Sequence, residues 1–400
     1  MPVSALAFRS GLLSKTLTYV VELTMMRRMK IRAALTAFLC LLMVPVLAAE
    51  RPDFAFDMFR QVVEAQRGNV VFSPVSVEGV LRLLQQGARG ETAVELARLR
   101  MPERSMPVAM QPAQADAIFI DKSWKLKPGI KVDEIIPAPL MSDAKASAEM
   151  VNGWAEDKTR GMIPSIIKPS DLAGNNCCMI AANAIALEEK WSIPFSPDAT
   201  RQSAFHGADG KDKEVPMMYK TARFSYAEGV DWKALALFFR SEDRMGSPGC
   251  FLAILPRENA REWATSLTSE RFGVICKALR EAAPCQVRVG MPRFEQRTDT
   301  FSLTSALKAC GVRLIFTPKA DLSGFTDAPL YLSEVLQRCY VKADEQGAKA
   351  AAVTVGMVRC FSAAPPRRVE TFIMDRPFIW AITDLENQAA PYFLGLYEQP

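Results

Sequence analysis

The chain reads NVVFSPVSVEGVLRLLQQGARGETAVELARL from Asn69 to Leu99, and this stretch predicts a short strand followed by two helices. The apolar residues Val70–Phe72 suit a buried strand. Ser73–Pro74 then supplies an N-cap and a proline in the first helical turn. Gly87 ends that helix, and a second helix begins just after Gly90.

Helical and strand-like patterns of apolar residues also occur in other segments of the chain. Apolar residues spaced for one helical face predict helices, and alternating or continuous apolar runs predict strands. The predicted helices are Asp53–Gln66, Phe301–Ala309 and one within Val151–Ile167 that ends near Gly161. The predicted strands are Ala181–Trp191, Phe251–Leu255, Gln286–Met291, Leu330–Asp344, Phe372–Ile382 and Tyr392–Leu396. With neither an internal repeat nor a linker between them, they indicate one mixed domain over residues 49–400.

The first 48 residues differ from the rest and predict a leader. Basic residues at positions 27–32 precede an apolar run from Ala33 to Leu47, and small residues follow it, as in a secretory signal. The predicted location is therefore secreted or periplasmic. A translation start at Met29, an uncleaved anchor and a twin-arginine export signal at Arg27–Arg28 stay open as alternatives.

Charge and composition exclude several function classes. Residues 1–48 hold six of the 49 basic and one of the 44 acidic residues, so 43 of each remain in the mature chain. A net charge near zero argues against a nucleic-acid partner and against an anionic membrane surface. The chain has nine cysteines and one histidine, without zinc-site spacing, and we expect neither a metal nor another cofactor.

A hydrolase needs a nucleophile, a base and an orienting group. The base would have to be His206, which lies in the polar segment AFHGADGKDKE, where we expect a surface turn. The chain has no G-x-S-x-G elbow, dinucleotide fingerprint or phosphate-binding glycine loop. These absences favour a protein that is not an enzyme and acts by changing shape.

The stretch DEQGAKAAAVTVGMVRCFS, residues 344–362, combines the alternation of a strand with the composition of a loop. As a strand it would present one face without charge, made of Ala348, Ala350, Ala352, Thr354, Gly356 and Val358. The prolines 365 and 366 that follow are typical of an exposed, extended segment. An alanine-rich helix over Glu345–Val353 remains open as the alternative.

Several blocks resemble the serpin family of serine protease inhibitors, in the same order along the chain. Besides residues 72–96 they are DAIFIDKSWKLKP, VNGWAEDKTRGMIPSII, ANAIALEEKWSIPF, VPMM, DRPFIW and the stretch at 344–362. The resemblance covers Asp53–Pro400. It implies an α+β serpin fold, in which a mixed central β-sheet and two smaller sheets are surrounded by helices. It also implies an exposed reactive-centre loop at about residues 345–368, and we expect a monomer.

The resemblance further implies an irreversible suicide inhibitor of serine proteases. The cleaved loop would enter the central sheet and trap the acyl-enzyme, and small hinge residues would ease that insertion. The hinge is assigned to Glu345, Gly347, Ala348, Ala350, Ala351, Ala352 and Val353. Gly347 would act as the pivot, because glycine has the greatest backbone freedom.

Loop length predicts the bait residue, which is the residue on the acyl side of the bond that the protease cleaves. In inhibitory serpins of usual length the scissile bond follows the fourteenth residue beyond the hinge glycine, which selects Phe361–Ser362 and a chymotrypsin-like or elastase-like target. Arg359 is the alternative bait, for a trypsin-like target. Cys360 is either an incidental small residue, a redox-sensitive thiol or a partner for a cysteine protease.

The resemblance assigns the region where the sheet opens to Ser73, Ser76, Asn183, Lys190, Trp191 and Gln337. Gln337 stands where many serpins carry a histidine, so we expect the pH dependence of that histidine to be lost. The prolines between Leu99 and Asp116 leave no room for the helix that binds glycosaminoglycans in some serpins, which argues against such a cofactor. A non-inhibitory carrier or chaperone is the alternative function.

Overall fold

The computed structural model describes residues 53–99, 101, 112–128, 134–172, 177–240, 249–297, 301–347, 369–385 and 391–400. All of them belong to one compact unit, Pro52–Pro400. The predicted leader, most of the segment expected to lack a helix between Leu99 and Asp116, and loop residues 348–368 lie outside the described residues. Among the helices described, none is long and apolar enough to cross a membrane.

The helices begin where the sequence offers caps. Ser73, Asp143, Asn259 and Thr268 each accept a backbone N–H of the first turn that follows. The helices are α1 (Phe54–Ala65), α2 (Pro74–Gly87), α3 (Gly90–Ala97), α4 (Ala144–Lys158), α5 (Pro169–Leu172), α6 (Ala260–Thr265), α7 (Ser269–Glu281) and α8 (Thr304–Ala309), with 3₁₀ turns at Pro197–Ala199 and Leu314–Phe316.

A six-stranded sheet is the part of the fold that positions the candidate site. Its strands are β2 (Ala113–Asp121), β3 (Ile135–Ala138), β4 (Met179–Leu187), β10 (Phe294–Arg297), β11 (Phe301–Ser302) and β12 (Glu334–Ala343). The order is β10-β12-β4-β2-β3, and β11 also pairs with β12. The central strands β4 and β12 are parallel, with Gln337 directly opposite Asn183.

The remaining nine strands form a second, bent sheet. They are β1 (Val70–Phe72), β5 (Thr200–His206), β6 (Asp212–Glu228), β7 (Trp232–Phe238), β8 (Cys250–Pro256), β9 (Cys285–Pro292), β13 (Glu370–Ile373), β14 (Phe378–Thr383) and β15 (Phe393–Tyr397). The 17-residue β6 pairs with β5 and β9 early in its course and with β7 at its end. The two smaller sheets that were predicted are therefore present and share this strand, and the predicted fold class is confirmed.

Both faces of the six-stranded sheet are covered. Ile118 and Ala181 face the largest apolar cluster, which contains α1 and α2, whereas Phe119 and Ala182 face the cluster under α4. Phe119 meets Trp154 of α4 edge to face at 5.6 Å between ring centroids. This alternation is the pattern expected of a strand buried on both sides.

Several predicted element bounds were wrong. The helix predicted within Val151–Ile167 is α4, which starts earlier because Asp143 caps it. Its predicted end near Gly161 is confirmed, since α4 ends at Lys158, just before the positive φ of Arg160 and Gly161. The helix predicted from Phe301 begins only at Thr304, after the short strand β11. The strand predicted over Phe372–Ile382 is two strands, because the segment containing Pro377 separates β13 from β14.

Candidate functional site

The chain reverses direction immediately after β12. Asp344 and Gly347 exchange two backbone hydrogen bonds, of 3.1 and 3.3 Å, around the two-residue turn Glu345–Gln346. The predicted pivot Gly347 is at this turn and has φ +115°. A Cβ there would lie 2.1 Å from the carbonyl oxygen of Glu189, so only glycine fits.

Beyond the turn, Gly347 forms an antiparallel bridge with Lys190. The ladder between β4 and β12 has ended by this point, since its last pair is Val341 with Leu187. A small cavity of about 10 Å³ lies beside this point, and Leu187, Val341 and Gly347 are among the residues that line it. The chain therefore already runs antiparallel to β4 at the end of the sheet where the two central strands part.

Trp191 anchors this turn to the rest of the protein. Its backbone N–H donates to Gln346 O at 3.0 Å, and its indole Nε1–H donates to Asp344 O at 2.8 Å. The ring is 4% exposed and stacks on Phe239 at 5.2 Å between centroids. Trp191 thus combines the role of a core aromatic with that of a hydrogen-bond donor to the turn.

Glu345 holds the turn from the other side. Its Oε1 accepts hydrogen bonds from Thr200 Oγ1, at 2.7 Å, and from the guanidinium of Arg293. Burial raises the pKa of the Glu345 carboxyl, but these hydrogen bonds outweigh that effect and its pKa lies below the usual value. The carboxylate therefore stabilises the fold above the usual glutamate pKa, and that contribution is lost as the pH falls through the lowered pKa.

Arg293→Ala should loosen this turn without touching the loop. A hydrogen bond to a charged group contributes about 1.5–3 kcal/mol, and the remaining carboxylate is only 9% exposed. We expect the melting temperature of the uncleaved protein at pH 7 to fall by several degrees, as measured by circular dichroism. Arg376→Ala, whose arginine pairs with the adjacent Asp375, is the matched control. Equal effects of the two substitutions would refute a clamp at Glu345.

The polar residues predicted for sheet opening divide into two groups in the structure. Gln337 accepts from Ser73 N at 3.2 Å and donates to Ser73 O at 2.9 Å, while Ser73 Oγ donates to Tyr392 O at 2.8 Å. Ser76 donates its backbone N–H to Ser73 Oγ, and its own hydroxyl has no partner among the described residues. This group joins β12 to the start of α2.

Asn183 belongs to the second group. Its Nδ2 donates to Asp116 Oδ1 and to Ala115 O, so it bonds to β2 and not to Gln337. Its Oδ1 has no partner within the described part of the chain. Residues 116, 183 and 337 nevertheless occupy one row across three adjacent strands. Opening the sheet between β4 and β12 would separate Gln337 from Asn183 and Asp116.

Sequence reasoning missed Asp116. Its carboxyl also accepts from Gln114 at 3.1 Å and faces Gly79 of α2, where a Cβ would lie 2.1 Å from Oδ2. The residue as a whole is only half-buried, but the carboxyl lies against a helix backbone and the buried Asn183. Desolvation of the carboxyl raises the pKa of Asp116 to about 7, although the hydrogen bonds from Asn183 and Gln114 act against it.

The remaining predicted residues lie outside the described residues. They are Ala348, Ala350, Ala351, Ala352 and Val353 of the hinge, the alternative bait Arg359, and the proposed bond Phe361–Ser362. The loop-helix alternative over Glu345–Val353 falls largely in the same segment. Glu345 itself lies in the turn and not in a helix.

His206, the base that a hydrolase would need, lies at the surface. It ends β5 opposite Asp212, at a strand end and not within a turn as expected, and Nδ1 lies 2.8 Å from Asp212 Oδ1. That hydrogen bond raises the pKa of His206, whose side chain is 57% exposed. Within the described residues no other side chain bonds to the ring, and no group of acidic, cysteine and histidine residues could hold a metal.

Comparisons with known proteins agree with this geometry. A family model described as "Serpin (serine protease inhibitor)" matches residues 49–121 and 134–400. A leukocyte elastase inhibitor of Bos taurus is 29% identical over 384 residues, which covers 88% of this chain and 99% of that protein. The native thermophilic serpin tengpin superimposes with a TM-score of 0.72 at 24% identity, covering 87% of this chain and 92% of the other. Thyroxine-binding globulin in complex with thyroxine gives 0.71 at 23% identity, with coverage of 88% and 98%.

Proposed function

This chain belongs to the serpin family, and on that premise we propose that it is an irreversible inhibitor of serine proteases. We infer that it acts by inserting its cleaved loop between β4 and β12. The bridge between Gly347 and Lys190 carries this proposal, because it is the first antiparallel pair of the strand that insertion would add. The parted strand ends beside it give the insertion a starting point.

Insertion would exchange one ladder for two. The eight registered pairs between β4 and β12 are parallel, and a strand entering from Gly347 would run antiparallel to both neighbours. Fourteen residues, from Ala348 to Phe361, would extend roughly 45 Å at about 3.3 Å per residue. At about 1 kcal/mol per net hydrogen bond, the additional ladder contributes on the order of 10 kcal/mol. That energy is available to displace an attached protease.

The chemistry belongs to the protease. Its serine would attack the carbonyl carbon of the bait residue, and the peptide bond to the next residue would break, leaving an acyl-enzyme. Insertion of the freed loop would then pull the protease away before water can deacylate it. The inhibitor contributes the bait, the hinge and a sheet able to open, and it needs no catalytic residue.

Incubation with chymotrypsin and with trypsin tests this function. We expect an SDS-resistant adduct with chymotrypsin and release of a C-terminal peptide beginning at Ser362, as identified by mass spectrometry. Phe361→Ala should reduce that adduct at least tenfold, whereas Arg359→Ala should not, because the aromatic residue fills the hydrophobic pocket of the protease. Clean cleavage without an adduct would reject inhibition, and a peptide beginning at Cys360 would assign the bait to Arg359.

The carrier alternative has less support. A cavity of about 190 Å³ lies between Trp191, Phe195, Phe224 and Leu237. Ligand sites for drug-sized molecules commonly measure about 300–1,000 Å³. A carrier whose loop cannot insert would also keep the same melting temperature after cleavage, whereas an inhibitor should gain many degrees.

We also propose that the protein is exported, with residues 1–48 as its leader. The support is the basic and apolar pattern of positions 27–49. N-terminal sequencing of the protein recovered from medium or periplasm would test this, and a mature protein that keeps residues 29–48 would contradict it.

A further inference from the structure

The sheet formed by β5, β6, β9 and β13 presents three arginines on one solvent-facing side. Arg201, Arg223 and Arg288 are all exposed, and they come from three different strands. Within the described residues none of the three forms an ion pair with a carboxylate. Guanidinium groups without a carboxylate partner leave positive charge exposed on this rigid sheet, and Arg223 donates only to a backbone carbonyl, Pro284 O, at 2.9 Å.

Tyr219 organises this surface. The guanidinium of Arg201 lies 4.2 Å from the centroid of the Tyr219 ring, and that of Arg288 lies 5.7 Å from it. The Tyr219 hydroxyl is hydrogen-bonded to Ser203 Oγ at 3.0 Å, which fixes the ring. Ring and hydroxyl together hold two positive charges in place before any partner binds.

The neighbouring strand provides an apolar floor. Tyr219 lies opposite Gly290, and a Cβ on that glycine would lie 3.0 Å from the tyrosine ring and 2.9 Å from the side chain of Ile373. Tyr219 and Ile373 therefore close over Gly290 between the arginines. A fixed aromatic and arginines beside an apolar contact are the residue types that dominate protein–protein binding energy.

The surface is close to the place where a protease would bind. Strand β13 begins at Glu370, nine residues after Phe361, so the bait is at most about 30 Å from this sheet along the chain. A domain of about 200 residues has a radius of gyration of about 16 Å, and its body spans more than that distance. A protease bound at the bait is therefore large enough to reach the sheet.

From this juxtaposition we propose that Arg201, Tyr219 and Arg288 form a second docking surface, which selects proteases with an acidic patch beside their active site. The inference rests on the proposed inhibitory function and adds specificity to it. Because the arginines are positively charged, the partner's surface should be negative. Tyr219 and Ile373 add apolar contacts, which favour a protein surface over a uniformly charged polymer. Such a surface raises the association rate and is screened by salt, because the Debye length falls from about 30 Å at 0.01 M to about 8 Å at 0.15 M.

The test compares chymotrypsin with succinylated chymotrypsin, in which surface lysines become carboxylates, each calibrated by active-site titration. We expect the association rate constant at 0.02 M salt to be about tenfold higher with the succinylated protease, and the ratio to approach one at high salt. Arg201→Glu combined with Arg288→Glu should remove the preference. Arg98→Glu combined with Arg160→Glu makes the same charge change at exposed residues that follow α3 and α4, and it should retain most of the preference.

The outcomes separate the two proposals. If no adduct forms with either protease, inhibition itself fails. If adducts form but the rate ratio is the same for the Arg201/Arg288 variant and its control, the docking surface is refuted. If the preference is absent and heparin instead accelerates the wild-type chain but not the Arg201/Arg288 variant, the surface binds a polyanion, and the protease proposal is overturned.

Discussion

Ala350→Arg should convert the protein from an inhibitor into a substrate of the same protease. Alternation places residue 350 on the face of the loop that would be buried after insertion, together with residues 348 and 352. An unpaired guanidinium there would have to be desolvated, at a cost of several kcal/mol. Each 1.4 kcal/mol added to the insertion barrier slows insertion about tenfold, so deacylation should win.

Ala351→Arg is the matched control, because the neighbouring residue points to the opposite face. The measurement is the number of inhibitor molecules consumed per protease molecule inactivated, together with the yield of SDS-resistant adduct. We expect the adduct yield to fall at least tenfold for Ala350→Arg and to stay near wild type for Ala351→Arg. Similar losses for both variants would mean that the loop does not insert as an alternating strand.

Much of the fold could be predicted from periodicity and caps. The helices α1 and α2 begin and end within about two residues of the predicted positions, since each has a continuous apolar face and a clear start. Each predicted strand overlaps at least one observed strand, but the ends were not placed, and strands such as β2, β5, β6 and β7 were not predicted. The ladder between the predicted strand Ala181–Trp191 and β12 ends at Leu187, whose partner Val341 is 154 residues away along the chain.

The site was only partly predictable for the same reason. Glu345 and Gly347 were identified in the sequence. The hydrogen-bond partners of Glu345 are Arg293 and Thr200, which are 52 and 145 residues away along the chain. Nothing local marks either partner. The steric need for glycine at 347 likewise comes from Glu189 and Lys190, which belong to another strand.

The sequence around Asp116 does contain a signal for a buried carboxyl. Asp116 shares a strand face with Ile118 and Ile120, which are buried in the main core. An aspartate on that face needs hydrogen-bond donors or a raised pKa. Replacement of the usual histidine by Gln337 suggested that pH dependence is lost at the sheet opening, yet Asp116 introduces a titrating group two strands away. Its donors could be named only once β4 was placed beside β2.

Asp116→Asn should stabilise the protein at pH 8 and have little effect at pH 4. The pKa of Asp116 is about 7 in the folded chain and near 3.8 when unfolded, so between these values the folded chain holds a proton that the unfolded chain has released. The stability due to the neutral carboxyl is thus complete below about pH 4 and is lost as the pH rises through 7. The shift corresponds to at most about 4 kcal/mol, and less where solvent reaches the carboxyl.

The charged groups around Asp116 do not change this direction. Glu134 raises its pKa further and Arg82 lowers it slightly, while Glu78 of α2 lies 3.9 Å from Arg82. The measurement is the difference in urea midpoint between wild type and variant across pH 4–8, because other titrating groups cancel in that difference. A neutral asparagine can still accept from Asn183, so the packing against Gly79 is preserved.

Asp121→Asn on the same strand gives the opposite expectation and completes the test. Burial raises the pKa of Asp121, but hydrogen bonds from Ser123 and from Met141 N more than offset it, and its pKa is lowered. Asp121→Asn should therefore destabilise the protein at pH 8, where the wild-type carboxylate is ionised and fully bonded. Stabilisation at pH 8 by both variants would contradict only the expectation for Asp121, whereas destabilisation by both would show that Asp116 is not held against its own ionisation. The row from Asp116 to Gln337 would then have no titrating member, and sheet opening would be as indifferent to pH as the loss of the histidine suggested.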